Sequence, residues 1–208
     1  ALMRQSVAQI THHCQSRFAF GKTLNQQPLM QNVLSDLILE SEASTALSMR
    51  LARSLDMSTQ NEQEKHLVRI GTAIGKYWIC KRTPGHAYEA MECIGGSGVM
   101  EDCIMPRLFR ESPINTIWEG SGNVQCLDML RALQKTPETL DAFMAEIHLV
   151  ERKHPLIPDA LSSLQKNLSD KNNLEYRSRS IVEQMALLFQ ASSLLQYGND
   201  LVADAFCS

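Results

Sequence analysis

The sequence has no apolar run near the ~20 residues that a membrane-spanning helix requires, and no basic-then-apolar leader of the secretory kind. None of its six cysteines (Cys14, Cys80, Cys93, Cys103, Cys126, Cys207) forms a C-x-x-C pair or stands at zinc-finger distance from a histidine. Scattered in this way, they read as reduced, buried thiols of a cytoplasmic protein and not as a disulfide framework. Four of the six histidines stand apart from one another and from cysteine; His12 and His13, next to Cys14, are consecutive and so point to different faces of a helix. No metal site is therefore expected. Charge of one sign is also lacking. The net charge is −3, whereas a dedicated nucleic-acid module carries a basic excess, so any polyanion would have to be met by a local patch. A G-x-G-x-x-G turn following a strand is absent, which removes a Rossmann site.

What is present is helical rhythm almost throughout. With 44% hydrophobic and 21% charged residues, the 208-residue chain is ordinary for a globular protein. It can bury roughly 70% of its unfolded surface, enough for one large domain or one with a helical appendage. Residues 1–16 place Leu2, Val7, Ile10 and Cys14 on one stripe. The opening "ALMRQSVAQI" is already in that rhythm with no capping signal before it, which reads as a piece of something longer. Gly21 and "LNQQP" punctuate, with Asn25 a candidate N-cap and Pro28 in the first turn of a long helix to about Met57.

Polar "STQNE" (58–62) is turn material, and a third helix follows from about 63 to 82. Pro84 and Gly85 are expected to interrupt it before helix resumes to Ile94 and "GGSG" ends it. Residues 99–116, with Pro106 and Pro113, read as loop and short turns, and 122–134 as helix. Shorter helices are expected near 137–153 and 157–169, then a closing helix over about 174–206. No strand and no repeat is expected. The ten methionines are spread over many helices and read as core filler. The reading is an all-α, up-and-down bundle of long antiparallel helices.

The chemistry-bearing candidates cluster at punctuation points. Glu119 sits in "WEGSG" at a loop-to-helix junction, between Trp118 and Gly120. A carboxylate against an aromatic wall is desolvated, which raises its pKa and makes it a usable base; alternatively it merely complements a helix N-terminus. Ser121, Gly122 and Asn123 stand where free N–H groups and the helix dipole favour an anion, although Ser121 also reads as an ordinary N-cap. Gly95 and Gly96 in "GGSG" would let backbone approach a cofactor closely, or simply terminate a helix. In "SRFAFGKTL" an Arg17 fork suits a pyrophosphate and Phe20 can cover an adenine, or Arg17 only caps a helix end. Arg107, Arg110, Arg131 and Lys135 could form a basic patch, or be solvated charges.

The order of these signals carries more than any one of them. An R-x-x-F-G-K element closes one helix, a helix ending in I-G-G-x-G follows, and an aromatic-Glu-Gly-Ser junction comes next. Over residues 1 to about 134 this succession resembles the C-terminal helical domain of the acyl-CoA dehydrogenase family. "MECIGGSGVMEDCIMPRLFRESPINTIWEGSGNVQCLDMLRAL" looks most like the AidB-like branch, flavoproteins of the bacterial response to DNA alkylation. The tryptophan before Glu119 and the S-G-N after it favour that branch over fatty-acid enzymes with Y-E-G-T. The tail from 135 to 208 then fits as added helices packed on a four-helix bundle.

The resemblance implies an FAD mechanism in which a carboxylate removes the α-proton of an acyl-CoA thioester while the β-hydrogen leaves as hydride to the flavin. Glu119 matches the base. Arg17 and Phe20 match contacts to the FAD of a neighbouring subunit, and Gly95 and Gly96 the backbone that closes over it. Trp118, Gly120, Ser121, Gly122 and Asn123 match the cofactor contacts around the base. Glu92 stands where many relatives have a glutamine that helps to hold the adenosine moiety, and an anion there would repel a pyrophosphate. The Arg17 assignment implies a homodimer or homotetramer. The family's N-terminal helical and middle β domains are not in these 208 residues, so weak or no FAD binding and no dehydrogenase activity are expected of the chain alone. The branch resemblance also implies an alternative: a DNA-binding flavoprotein with vestigial oxidation, Arg131 and Lys135 meeting double-stranded DNA through salt-sensitive phosphate contacts.

Overall fold

The computed structural model describes residues 1–208. It contains nine α-helices and one short hairpin, in the order α1 (Leu2–Ser16), β1 (Phe18–Ala19), β2 (Lys22–Thr23), α2 (Pro28–Met57), α3 (Glu62–Ile94), α4 (Met105–Glu111), α5 (Gly122–Lys135), α6 (Glu138–His148), α7 (Leu156–Ser169), α8 (Leu174–Tyr197) and α9 (Asp200–Cys207). The all-α expectation holds. Contacts divide the chain into two compact units, residues 1–42 with 80–118 and residues 43–79 with 119–208, and α2 and α3 each contribute a part to both.

The first unit packs Val7, Ile10, Leu37, Ala90, Cys93, Met105 and Leu108 into one apolar cluster. Its part of α3 contradicts the expected break at Pro84. The helix runs without interruption from Glu62 to Ile94 with Pro84 inside it. An internal proline removes one N–H donor and costs about 3 kcal/mol. Against that, Thr83, His86, Ala87 and Ala90 are buried at helical spacing across the proline, and this stripe would be lost if the helix stopped. His86 Nε2 reaches the Leu37 carbonyl at 3.0 Å, and burial pushes its pKa below the usual imidazole value.

Three other local expectations change. Residues 18–23 form a hairpin, with Phe18 opposite Thr23 and Ala19 opposite Lys22. Its two loop residues, Phe20 and Gly21, both have positive φ, +53° and +85°, the geometry of a type I′ turn. Asn25 does not cap α2, which starts at Pro28; its carbonyl instead accepts from Gln31 Nε2 at 3.0 Å. Within the expected loop 99–116, Met105–Glu111 is helical, with Pro106 in its first turn, where proline initiates a helix because its missing N–H would be unpaired anyway.

The second unit is built on Leu47, Leu67, Ile70, Ile74, Met129, Phe143, Leu164, Ile181, Met185 and Phe189, among others. Phe143 and Phe189 meet edge to face at 5.9 Å, a geometry worth ~1 kcal/mol beyond area burial. The expected 137–153 helix ends at His148. The expected closing helix is split: Gly198 ends α8, a Cβ there would lie 2.7 Å from the Leu194 carbonyl oxygen, and Asn199 Oδ1 caps α9 by accepting from Leu201 N–H.

A buried ion cluster ties this unit's helices together. Arg50 donates to both oxygens of Glu146 (2.9 and 2.8 Å) and both of Glu64 (2.8 and 3.1 Å). Glu146 is only 3% exposed. Ser54 donates to Glu64 at 2.6 Å and Gln196 to Glu146 at 2.8 Å. Burial opposes ionisation of Glu64, but the hydrogen bonds from Arg50 and Ser54 with the charges of Arg50 and Arg53 win, and its pKa falls below the usual value. Burial acts alone or dominates on the thiols: Cys93 of the first unit is pushed up to about 12, Cys126 of the second to about 11. No helix is long and apolar enough to cross a membrane, and no three His, Cys, Asp or Glu side chains gather as a metal site would need.

Removing one partner of a buried ion pair strands the other charge. Arg50→Ala is expected to lower unfolding stability by about 3–5 kcal/mol, read as a fall in the urea midpoint. Because the folded pKa of Glu64 lies below its unfolded value, the unfolded state binds more protons in the acid range. Its contribution is complete above the ordinary glutamate pKa of about 4.3 and fades as pH falls through the lower folded value. Glu64→Gln should flatten that part of the stability–pH curve.

Candidate active site

The segment Glu119–Asn123 is a turn wound against its own preference. Glu119 has φ +54° and Gly120 φ +104°. For a non-glycine residue the left-handed region costs about 1–2 kcal/mol, and persists only where the surroundings over-determine it. Here they do. Lys76 Nζ donates to the Gly120 carbonyl at 3.1 Å, and Gln125 Nε2 to the carbonyls of Glu119 (3.0 Å) and Gly120 (3.3 Å). At φ +104° any side chain on Gly120 would be strained, and its Cβ, 2.6 Å from Gln125 Nε2, would also displace the amide that holds the turn. Behind it, Gly122 rests on the Tyr77 ring, which a Cβ would meet at 3.3 Å.

Ser121 stands at the N-cap position of α5, in extended conformation, but its hydroxyl makes no capping hydrogen bond. The ordinary N-cap reading of Ser121 therefore does not hold, and the first N–H groups of α5 are left without a side-chain acceptor. Asn123 Oδ1 accepts from Arg179 Nε of α8 at 2.8 Å. The turn therefore carries five of the expected residues side by side, Glu119 to Asn123, with two cationic side chains touching it.

The expected desolvation of Glu119 is not provided by residues 1–208. The Glu119 side chain is exposed, and Trp118 is 59% exposed. The contacts that fix Glu119 and Gly120 go to their backbone carbonyls and none goes to the carboxylate, so the chain sets the backbone while leaving the acid in water.

The remaining candidates lie in the first unit. Arg17 ends α1 in extended conformation, its N–H donating to the His13 carbonyl, and its side chain is exposed without a carboxylate partner. Phe20 is 96% exposed at the tip of the β1–β2 hairpin. Gly95, φ +73°, ends α3, and a Cβ on either Gly95 or Gly96 would meet nothing within 4 Å. They line a cleft of about 260 Å³ with Tyr88, Met91, Glu92 and Val99, which puts the anionic Glu92 on the same surface as both glycines. Packing demands the third glycine: a Cβ on Gly98 would lie 2.5 Å from the Met91 carbonyl oxygen.

The four cations read as a basic patch or as solvated charges are placed as follows. Arg107 pairs with Glu111 and Arg110 with Glu101. Arg131 lies 3.7 Å from Asp128, whose carboxylate is already held bidentately by Arg69. Lys135 is exposed at the end of α5. Arg107 and Arg110 are thus each matched by one carboxylate, whereas Arg69 and Arg131 share the single charge of Asp128, which leaves net positive charge along α5.

Lys76, Tyr77, Gln125 and Arg179 were not found by sequence reasoning. Gln125 lies four residues after Ser121 and could have been placed on the turn by helical spacing. The other three join the turn across 44 residues or more of chain and leave no local signal.

The sequence profile described as acyl-CoA dehydrogenase, C-terminal domain, matches residues 1–134. The chain belongs to the acyl-CoA dehydrogenase family. AidB of Escherichia coli strain K12 is 39% identical over 207 residues, covering 100% of this chain and 38% of that protein. The crystal structure of Caenorhabditis elegans ACDH-11 in complex with C11-CoA superposes with a TM-score of 0.92 at 26% identity, covering 99% of this chain and 40% of that one. An acyl-CoA dehydrogenase from Bacillus anthracis complexed with FAD shares the fold, with a TM-score of 0.73 at 18% identity, 99% of this chain and 44% of that one. The chain thus spans about two fifths of these acyl-CoA dehydrogenase relatives.

The strained backbone makes a measurable statement. Glu119→Gly relieves the left-handed penalty and should raise stability by ~1 kcal/mol, whereas Gly120→Ala should lower it by at least about 1 kcal/mol. Urea midpoints with unchanged slopes would show both.

Proposed function

We propose that this chain is the C-terminal part of an FAD-dependent flavoprotein with acyl-CoA dehydrogenase chemistry, Glu119 being the base that takes the α-proton of the thioester. The observation that carries the proposal is a carboxylate residue held at φ +54° by Lys76 and Gln125. That conformation has a cost and gives this chain no carboxylate contact in return, the pattern of a residue kept for a reaction.

The residues present fit the cofactor. The uncapped start of α5 offers donors to phosphate oxygens, and the open space at Gly95 and Gly96 lets a flat group approach the backbone. Ser121, Gly122 and Asn123 would hold FAD beside Glu119, and Arg17, Phe20, Gly95 and Gly96 would meet the cofactor of a neighbouring copy in a homodimer or homotetramer. When bound, FAD accepts the β-hydrogen as hydride. Glu119 then needs only to receive a proton at its carboxylate oxygen, and the walls that exclude water from it come from outside residues 1–208.

In the complete flavoprotein, Glu119→Gln should abolish exchange of acyl-CoA α-protons with deuterated solvent while leaving flavin content unchanged. Retained exchange would place the base elsewhere. Light scattering of the chain should report an oligomer; a monomer would remove the roles given to Arg17 and Phe20.

A further inference from the structure

Arg179 lies in α8, beyond the stretch 1–134 matched to the family, yet its Nε reaches Asn123 at the start of α5 across 56 residues of chain. It pairs with no carboxylate, unlike Arg69, Arg107, Arg110 and Arg177. A guanidinium can only donate hydrogen bonds. The Asn123 oxygen must therefore face Arg179, and its Nδ2 is turned away, with two hydrogens to give and no protein acceptor. Fixing the amide in this sense makes Asn123 a donor to an outside ligand. The guanidinium's two Nη groups likewise have no protein partner and add a positive charge beside the uncapped N-terminus of α5. Two donor groups of one polarity, one locking the other, suit an anion with several oxygens.

We propose that Arg179 and Asn123 form one pyrophosphate-recognising pair in the flavin dinucleotide site, with Arg179 both orienting the Asn123 amide and supplying charge. The assignment rests on the dinucleotide site described under Proposed function. It also gives the C-terminal helices a role in cofactor binding.

The test uses the isotopically labelled 208-residue chain, titrated at millimolar concentration with FAD, ADP, coenzyme A or adenosine and followed by NMR at the amides of residues 121–124 and the Asn123 side chain. FAD and ADP are expected to move these signals saturably and adenosine not to. R179A should weaken the response about tenfold, and R179K should retain most of it. Circular dichroism of both variants should match the parent chain, since Arg179 is exposed. Equal affinity in R179A and the parent chain would overturn the pair while leaving the dinucleotide site standing. A response to coenzyme A with none to FAD would overturn the flavin assignment of the pair. Silence of these signals toward both FAD and ADP in the parent chain would remove the pair and the phosphate contacts of the α5 turn together.

Discussion

A lysine ammonium 3.1 Å from one peptide oxygen sets the functional end of the second unit. The Gly120 carbonyl points at Lys76 only because Gly120 occupies a region closed to side chains, and Glu119 is drawn into the left-handed region beside it. Gln125 holds the same two carbonyls from the helix that follows. The start of α5, the orientation of its free N–H groups and the aim of its first side chains all follow from that arrangement. Each of these contacts grips backbone, so the side chain of Glu119 is free to serve a partner that the backbone does not need.

The same economy appears in how the second unit is held. Arg50 bridges two glutamates that come from different helices, and Gln196 of α8 completes the satisfaction of Glu146. A cluster of this kind contributes little net stability compared with well-packed apolar groups. It does specify which helix faces meet, because a shifted register would strand at least one charge. Lys76 and Tyr77 of α3 can pin the α5 turn only if α3 is correctly placed in that unit, and the ion cluster at Glu64 is one of the contacts that fix it.

Much of this was legible in the amino-acid order. The 3.6-residue period gave α1, α2, α5 and α7 almost to the residue, since each has an apolar stripe long enough to outvote local accidents. The failures came where one residue type has two opposite uses. Pro84 was read as a breaker, but burial at Thr83, His86, Ala87 and Ala90 continues through it; Pro106 was read as loop and begins a helix. The hairpin at 18–23 is too short for a period-2 pattern to register. At the site, the turn from Glu119 to Asn123 was found because its chemistry is contiguous. Arg179 was not, because a contact between distant helices depends on tertiary packing that no local pattern encodes. The dry setting expected for Glu119 is not supplied by residues 1–208, where both Glu119 and Trp118 are exposed.

The buried thiols have a practical consequence. Burial pushes Cys93 up to about 12 and Cys126 up to about 11, so little of either is thiolate at neutral pH, and the thiolate is the form that reacts. Cys93 belongs to one unit and Cys126 to the other. Alkylation at each sulfur is therefore gated by opening of its own surroundings, and the pair works as two internal clocks, each timing how often its half of the chain comes apart.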